Sequence, residues 1–176
     1  ATAIANGLTG ASADASVSSA ISQSANAYGT DGLAVNNIVI GGGTAPGSLD
    51  IGAVASANGG SSSAYASASN EDAIGQYAYG YTNADAVDNL TNGGTINVHA
   101  TANAVASTYA YASGYVYDAI SQEAFAYGTG DATVNLNNAG TINAVANANA
   151  AGSEAEASAS VEYGVYQYAW AQSGGD

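Results

Sequence analysis

Lysine and arginine are absent from this chain of 176 residues, as are cysteine and methionine, and Pro46, His99, Phe125 and Trp170 each stand as the only residue of their type. The first absence reaches furthest. With 14 acidic residues and a formal net charge of −14, the chain has no basic side chain to meet a phosphate. Nucleic acid is thereby excluded as a partner, and an anionic membrane surface is disfavoured for the same reason. Divalent cations are the natural counter-ions. Without cysteine there is no disulfide, no thiol chemistry and no redox clue to compartment. No apolar run approaches the roughly 18 residues of a membrane helix, so no membrane insertion is expected. No secretory leader is visible, and the chain begins at Ala1 rather than methionine. Asp176 falls where a further repeat would begin, so a processed product or an excerpt of a longer one is expected.

Large hydrophobes are scarce as well. Charged residues make up 8% and hydrophobic residues 47%, but most of the latter are alanine. A core of Leu, Ile, Val and Phe cannot be built from so few bulky side chains. Low complexity of this kind is also the mark of disorder. Thirteen tyrosines and long, strict alternation of small apolar with polar residues favour order.

What the chain does have is repetition. Asn92-Gly93-Gly94-Thr95-Ile96-Asn97 returns as Asn138-Ala139-Gly140-Thr141-Ile142-Asn143 and, degenerately, as Gly41-Gly42-Gly43-Thr44. A second phrase keeps step: Ala20-Ile21-Ser22-Gln23, Ala73-Ile74-Gly75-Gln76, Ala119-Ile120-Ser121-Gln122 and Gly164-Val165-Tyr166-Gln167. Its glutamines lie 53, 46 and 45 residues apart, and a fixed period in this range means one structural unit stacked on its copies. A single repeat domain, 1–176, of about three and a half units follows, with approximate bounds 1–34, 35–86, 87–133 and 134–176.

Within a unit the alternation has period two. Ile142, Ala144, Ala146, Ala148 and Ala150 alternate with Asn143, Val145, Asn147 and Asn149, matching Ile96 to Ala104 one unit earlier and Leu49 to Ala57 before that. Alanine alone favours helix, but period two with Asn, Ser, Thr and Tyr interleaved is a strand pattern. Pro46 marks an insertion expected to be a loop. Each unit reads as two long strands and a short one. The expected fold is all-β, a parallel β-helix-like solenoid with small residues letting its sheets approach closely; a stacked antiparallel sheet is the alternative. The period does not decide between one coil of about 46 residues, two of about 23, or a hairpin unit.

Four sets of side chains recur with the unit. Asp31, Asp85, Asp131 and Asp176 lie eight or nine residues after the repeat glutamines. A column of like charges needs hydration or a bridging cation. Calcium, which takes carboxylate, carbonyl and amide oxygens, is the candidate ion, with Asn36, Asn89, Asn135 and Thr129 as neighbours. The simpler reading is a solvated turn aspartate. Gln23, Gln76, Gln122 and Gln167 suit an amide ladder along the stack. Tyr79, Phe125 and Trp170 form one aromatic column, with Asn26 in the first unit, and Tyr28, Tyr81 and Tyr127 form another. Tyr109, Tyr111, Tyr115 and Tyr117 alternate with small residues. Facing out, these rings would mark protein contacts or a glycan-stacking surface; facing in, they are the bulky core.

Nothing points to catalysis. His99 has no partner in any usable pattern, no nucleophile elbow or phosphate loop occurs, and Glu154 and Glu156 read as solubilising charge. The recurring Asn-x-Gly-Thr-Ile-Asn phrase, the alanine alternation and the Gly-Val/Ile-x-Gln phrase together resemble the repetitive passenger regions of bacterial autotransporter-like surface proteins and adhesins. That resemblance implies an exported β-solenoid, extracellular or on the cell surface of a Gram-negative bacterium. The expected function is a non-enzymatic structural protein that assembles with copies of itself into a filament through open β edges, with other surface or matrix components as further partners. The alternative is a calcium-dependent adhesin, a binding region of a larger surface protein.

Overall fold

A computed structural model describes residues 1–41 and 46–172. The chain is all-β, every strand pair is parallel, and no helix occurs among the described residues. The first turn of chain runs through β1 (Thr2–Asn6), β2 (Gly10–Val17), β3 (Ile21–Tyr28) and β4 (Leu33–Ile40). The second runs through β5 (Ser48–Asn58), β6 (Ser63–Asn70), β7 (Ile74–Tyr81) and β8 (Asp85–Asn92). The third holds β9 (Thr95–Val105), β10 (Tyr109–Ala126) and β11 (Ala132–Asn138), and the fourth β12 (Thr141–Ala151) and β13 (Glu154–Ala171).

These strands stack into three walls. A middle wall has the order β1-β5-β9-β12 and a short wall β11-β8-β4. In the long wall β10 pairs with both β6 and β7, which continue to β2 and β3, and with β13 on its other side. In the first two turns the long wall breaks at residues 18–20 and 71–73, whereas β10 and β13 run through as single strands of 18 residues. At about 3.3 Å per residue such a strand is about 60 Å long. The 11 residues of β9 and the 7 of β11 lie opposite it, one against each half. The result is a flat, two-layered β-solenoid in which one repeat closes one coil. Gln122 pairs with Gln76 and Thr141 with Thr95, which excludes half-length coils and hairpin units.

The insertion before β5 leaves its mark on the register. Ser48 is the ladder partner of Thr95, while Gly42, Gly43 and Thr44 of the degenerate phrase lie outside the described residues. Pro46 and Gly47 belong to no strand.

Alternation sets the layering. Along β10 the even-numbered residues from Ala110 to Ala126 are all buried. Where the middle wall faces the long wall, the filling is alanine: Ala53, Ala55, Ala57, Ala100, Ala102 and Ala104 on one side, Ala64, Ala66, Ala68, Ala110 and Ala112 on the other. Larger side chains, Ile74, Leu90, Ile96, Val98, Val116 and Ile120, gather around the junction of the three walls. Because the filling is so small, backbones come close. A Cβ on Gly114 would overlap the main-chain carbonyl of Asn147 in β12. Gly114→Ala is therefore expected to cost about 1–2 kcal/mol through overpacking, read as a lower urea midpoint with an unchanged m-value.

Candidate functional site

The repeat glutamines sit in the half of the long wall that faces the short wall. Gln76 and Gln122 are fully buried. Gln76 donates through Nε2 to Gln23 Oε1 at 3.2 Å, Gln122 to Gln76 Oε1 at 2.9 Å, and Gln167 to Gln122 Oε1 at 2.9 Å. The same amides reach across the interior to main-chain carbonyls of the short wall: Gln23 to Asn37 at 3.2 Å, Gln76 to Asn89 at 3.0 Å and Gln122 to Asn135 at 3.2 Å. A primary amide has two N–H donors and a carbonyl acceptor. One donor thus ties coil to coil and the other ties layer to layer.

Asparagines repeat the device on the outer faces. Asn89 donates to Asn37 at 3.0 Å, Asn135 to Asn89 at 2.9 Å, Asn143 to Asn97 at 2.8 Å and Asn149 to Asn103 at 2.9 Å. In each of these, as in the glutamine ladder, the later coil donates to the earlier one. Asn92, which donates to Asn138 at 2.8 Å, runs the other way.

All thirteen tyrosines, Phe125 and Trp170 lie on the long wall or at its exit. The middle and short walls carry none. Small residues point inward, so the rings, Tyr163 apart, point outward. Tyr28 stacks on Tyr81 (centroids 4.9 Å, 12°), Tyr81 on Tyr127 (5.3 Å, 1°) and Tyr79 on Phe125 (5.3 Å, 5°). Trp170 meets Tyr127 edge-on at 5.2 Å. In the other half of the wall Tyr65 lies against Tyr109 and Tyr111, and Tyr115 against Tyr117. Tyr115 and Glu162 share a short hydrogen bond that pushes the phenol up to about 12. Tyr65, Tyr77, Tyr166 and Tyr168 join this face although the columns read from the sequence did not include them; Tyr65 occupies the position one coil below Tyr111, and Tyr163, the ladder partner of Asp118, is in the inward phase of the exposed fourth coil.

The aspartates are only partly brought together. The backbone N–H of Asp131 donates to Asp85 Oδ1 at 2.9 Å, and that of Thr129 to Asn83 Oδ1 at 2.9 Å. Asp31 stands apart from this pair. It lies two residues before Leu33, the ladder partner of Asp85, and adopts a left-handed φ of 62°. Asp176 is outside the described residues. Asn36 is turned inward and donates to Asp88 Oδ1 at 2.9 Å, while Asn89 and Asn135 are engaged in their own ladder. Among the described residues no three His, Asp or Glu side chains are grouped to hold a metal ion. His99 lies on the outer face of the middle wall with Nδ1 at 3.4 Å from Asp50 Oδ1.

Two carboxyls that the sequence reading left out are buried. Asp88 is fully enclosed, and desolvation raises its carboxyl to about 6 despite the Asn36 amide beside it. Asp118 is 5% exposed and is also raised to about 6, by burial and by the neighbouring Asp72. Both keep step with buried apolar neighbours, Asp88 with Ala86 and Leu90 and Asp118 with Val116 and Ile120, and that phase is the signal in the sequence that marks them as inward. No family model, curated protein or solved structure matches this chain.

Proposed function

We propose that this chain is a non-enzymatic, extracellular structural protein whose copies add coil upon coil, head to tail, into a filament. The observation that carries the reading is the direction of the amide ladders. In the glutamine ladder each later coil donates to the earlier one, so the Oε1 of Gln167 at one flank is an acceptor for an incoming amide, and the Nε2 of Gln23 at the other is a donor for an incoming carbonyl. The flanks are complementary to each other and not to themselves. Contacts of that kind are heterologous, and because successive coils are related by translation along the stack they do not close into a ring, which is the geometry of a filament.

The strands flanking the stack agree with this. β1 and β12 each have one side of their backbone unpaired within the described residues, and such edges template the addition of further strands. Alanine columns such as Ala3, Ala55, Ala102 and Ala148 would continue through the joint at the same layer spacing. In this reading the aromatic face, running the length of the fibre on one side only, is its lateral contact surface. The resemblance of the repeat phrases to surface-protein passenger regions adds the extracellular setting.

Electron microscopy and sedimentation of the purified chain across concentrations test the reading. Filaments whose length grows with concentration and whose axial spacing is about 4.8 Å per coil are expected, unchanged by EDTA. A monodisperse monomer at every concentration would refute it. Filaments that dissolve in EDTA would transfer the assembly role to a metal held at the acidic turns.

A further inference from the structure

Where the long wall's two halves meet, a cavity of about 400 Å³ opens to solvent across the second, third and fourth coils, lined by Asp72, Tyr117, Asp118, Glu123, Tyr163 and Tyr166. Its rings stand at steep angles to one another: Tyr117 and Tyr163 meet edge to face at 5.8 Å and 88°, Tyr163 and Tyr166 at 6.1 Å and 60°. The Tyr77 hydroxyl, 3.3 Å from Asp72 Oδ2, braces the turn on which Asp72 sits at a left-handed φ of 45°. Three carboxyls therefore face three aromatic rings in one concavity. Asp118 is 5% exposed and its Oδ1 has no hydrogen-bond partner. A buried acceptor left unmet is costly, and Asp118 lines the cavity, so a donor entering there is favoured.

From this arrangement we propose that the cavity is a binding site for a primary alkylammonium group. The ammonium offers three N–H donors to carboxyls that have no cation of their own, and its methylenes and charge lie against ring faces, which attract a desolvated cation. The chain has no lysine or arginine side chain to bring, so the ammonium comes from another molecule, either a lysine of a partner protein or a free polyamine. Metal ions fit less well, because the three carboxyls share the cavity without converging on one point where they could hold an ion, and no other such group occurs among the described residues.

The charge around the site is uniformly negative. Asp118 faces Asp72, Glu123 and Glu162, while Tyr117, Tyr163 and Tyr166 complete its surroundings. Burial and Asp72 both raise the Glu123 carboxyl, and Glu162 and burial raise the Tyr117 phenol. Ionised carboxyls are needed for binding, so affinity falls as pH drops from 7.5 through about 6, where Asp118 takes up its proton.

The test titrates n-butylammonium chloride into the full chain at pH 7.5, following ring resonances by NMR, with n-butanol as the uncharged counterpart. Saturable shifts at Tyr117, Tyr163 and Tyr166 are expected, with n-butanol at least tenfold weaker and binding several-fold weaker at pH 5. Asp72→Asn and Tyr166→Leu, both half-buried positions outside the apolar core, should each weaken n-butylammonium about tenfold. Unchanged ring stacking at Tyr81 and Tyr127 in each variant reports an intact fold. N-acetyl-lysine methylamide binding as well as spermidine assigns a protein lysine as the source, and much tighter spermidine assigns a polyamine. Equal binding of n-butanol, or calcium binding at these residues with no response to n-butylammonium, overturns the proposal. Filament formation is read separately by microscopy, so the two readings fail independently.

Discussion

Gln122→Leu lowers the unfolding free energy by about 3 kcal/mol, an amount set by what the leucine leaves behind and not by what it removes. The wild-type amide donates to Gln76 Oε1 at 2.9 Å and to the Asn135 carbonyl at 3.2 Å, and accepts from Gln167 at 2.9 Å. Leucine fills a similar volume but strands two acceptors in the interior, each worth about 1–3 kcal/mol when unmet. Apolar burial by the new side chain offsets part of that loss. Gln167 lies in the exposed fourth coil, where water takes over its amide.

Position within the ladder makes the prediction sharp. Gln23 is only half-buried and, in the first coil, makes one link to a neighbouring glutamine, so Gln23→Leu should cost under about 1 kcal/mol. Urea unfolding of the two variants, with equal m-values, measures the contrast. Gln76→Leu combined with Gln122→Leu should cost less than the two single changes together, because partners are removed along with donors. Equal losses for the Gln23 and Gln122 variants would mean that the ladder is a surface decoration and that backbone pairing alone holds the layers together.

The strands were legible because inward and outward positions draw on different residues: alanine, isoleucine and valine inside, asparagine, serine and tyrosine outside. Ile96 and Ile142 pair as the repeat alignment has them, and so do Leu49 and Ile96 across the Pro46 insertion. Coil size was not legible, since a period of 46 residues is the same whether the chain closes once or twice within it. What decides is the match between one 18-residue strand and the two shorter strands facing it, a relation between elements far apart in sequence.

The direction of the rings was equally hidden. Alanine and tyrosine alternate in either case, and only the close approach at Gly114 and Asn147 leaves no room for rings inside. Asp31 illustrates how counting fails in turns. The first coil spends residues 29–32 between its strands where the second spends 82–84, so an aspartate eight residues after Gln23 misses the position that Asp85 occupies nine residues after Gln76. The buried aspartates show the opposite case, in which the phase of the strand is visible in the sequence although carboxylates are seldom enclosed.

Asp88 leads to the second large effect, a protein that becomes more stable as it is acidified from neutrality. Its Oδ1 accepts from Asn36 at 2.9 Å while Oδ2, fully buried, has no hydrogen-bond partner. Enclosure raises the folded-state carboxyl from 3.8 to about 6. The folded protein therefore binds a proton that the unfolded chain releases between those values, and by linkage stability falls as pH rises through that window. The contribution is fully present below about pH 4 and lost as pH climbs through 6. A shift of about two units corresponds to on the order of 2–3 kcal/mol, and Asp118 acts in the same direction. Thermal melting at pH 4 should exceed that at pH 7 by about 5 °C. Protonation also relieves the general repulsion among 14 acidic side chains, so the wild-type trend does not by itself identify its source. Asp88→Asn does. The asparagine carbonyl can still accept from Asn36 with no buried charge to carry, so the variant should melt higher than wild type at pH 7 and lose much of the rise on acidification. A variant that melts lower at pH 7, or keeps the whole rise, would mean that Asp88 is held ionised by its surroundings and that its burial is no drain on the neutral-pH fold.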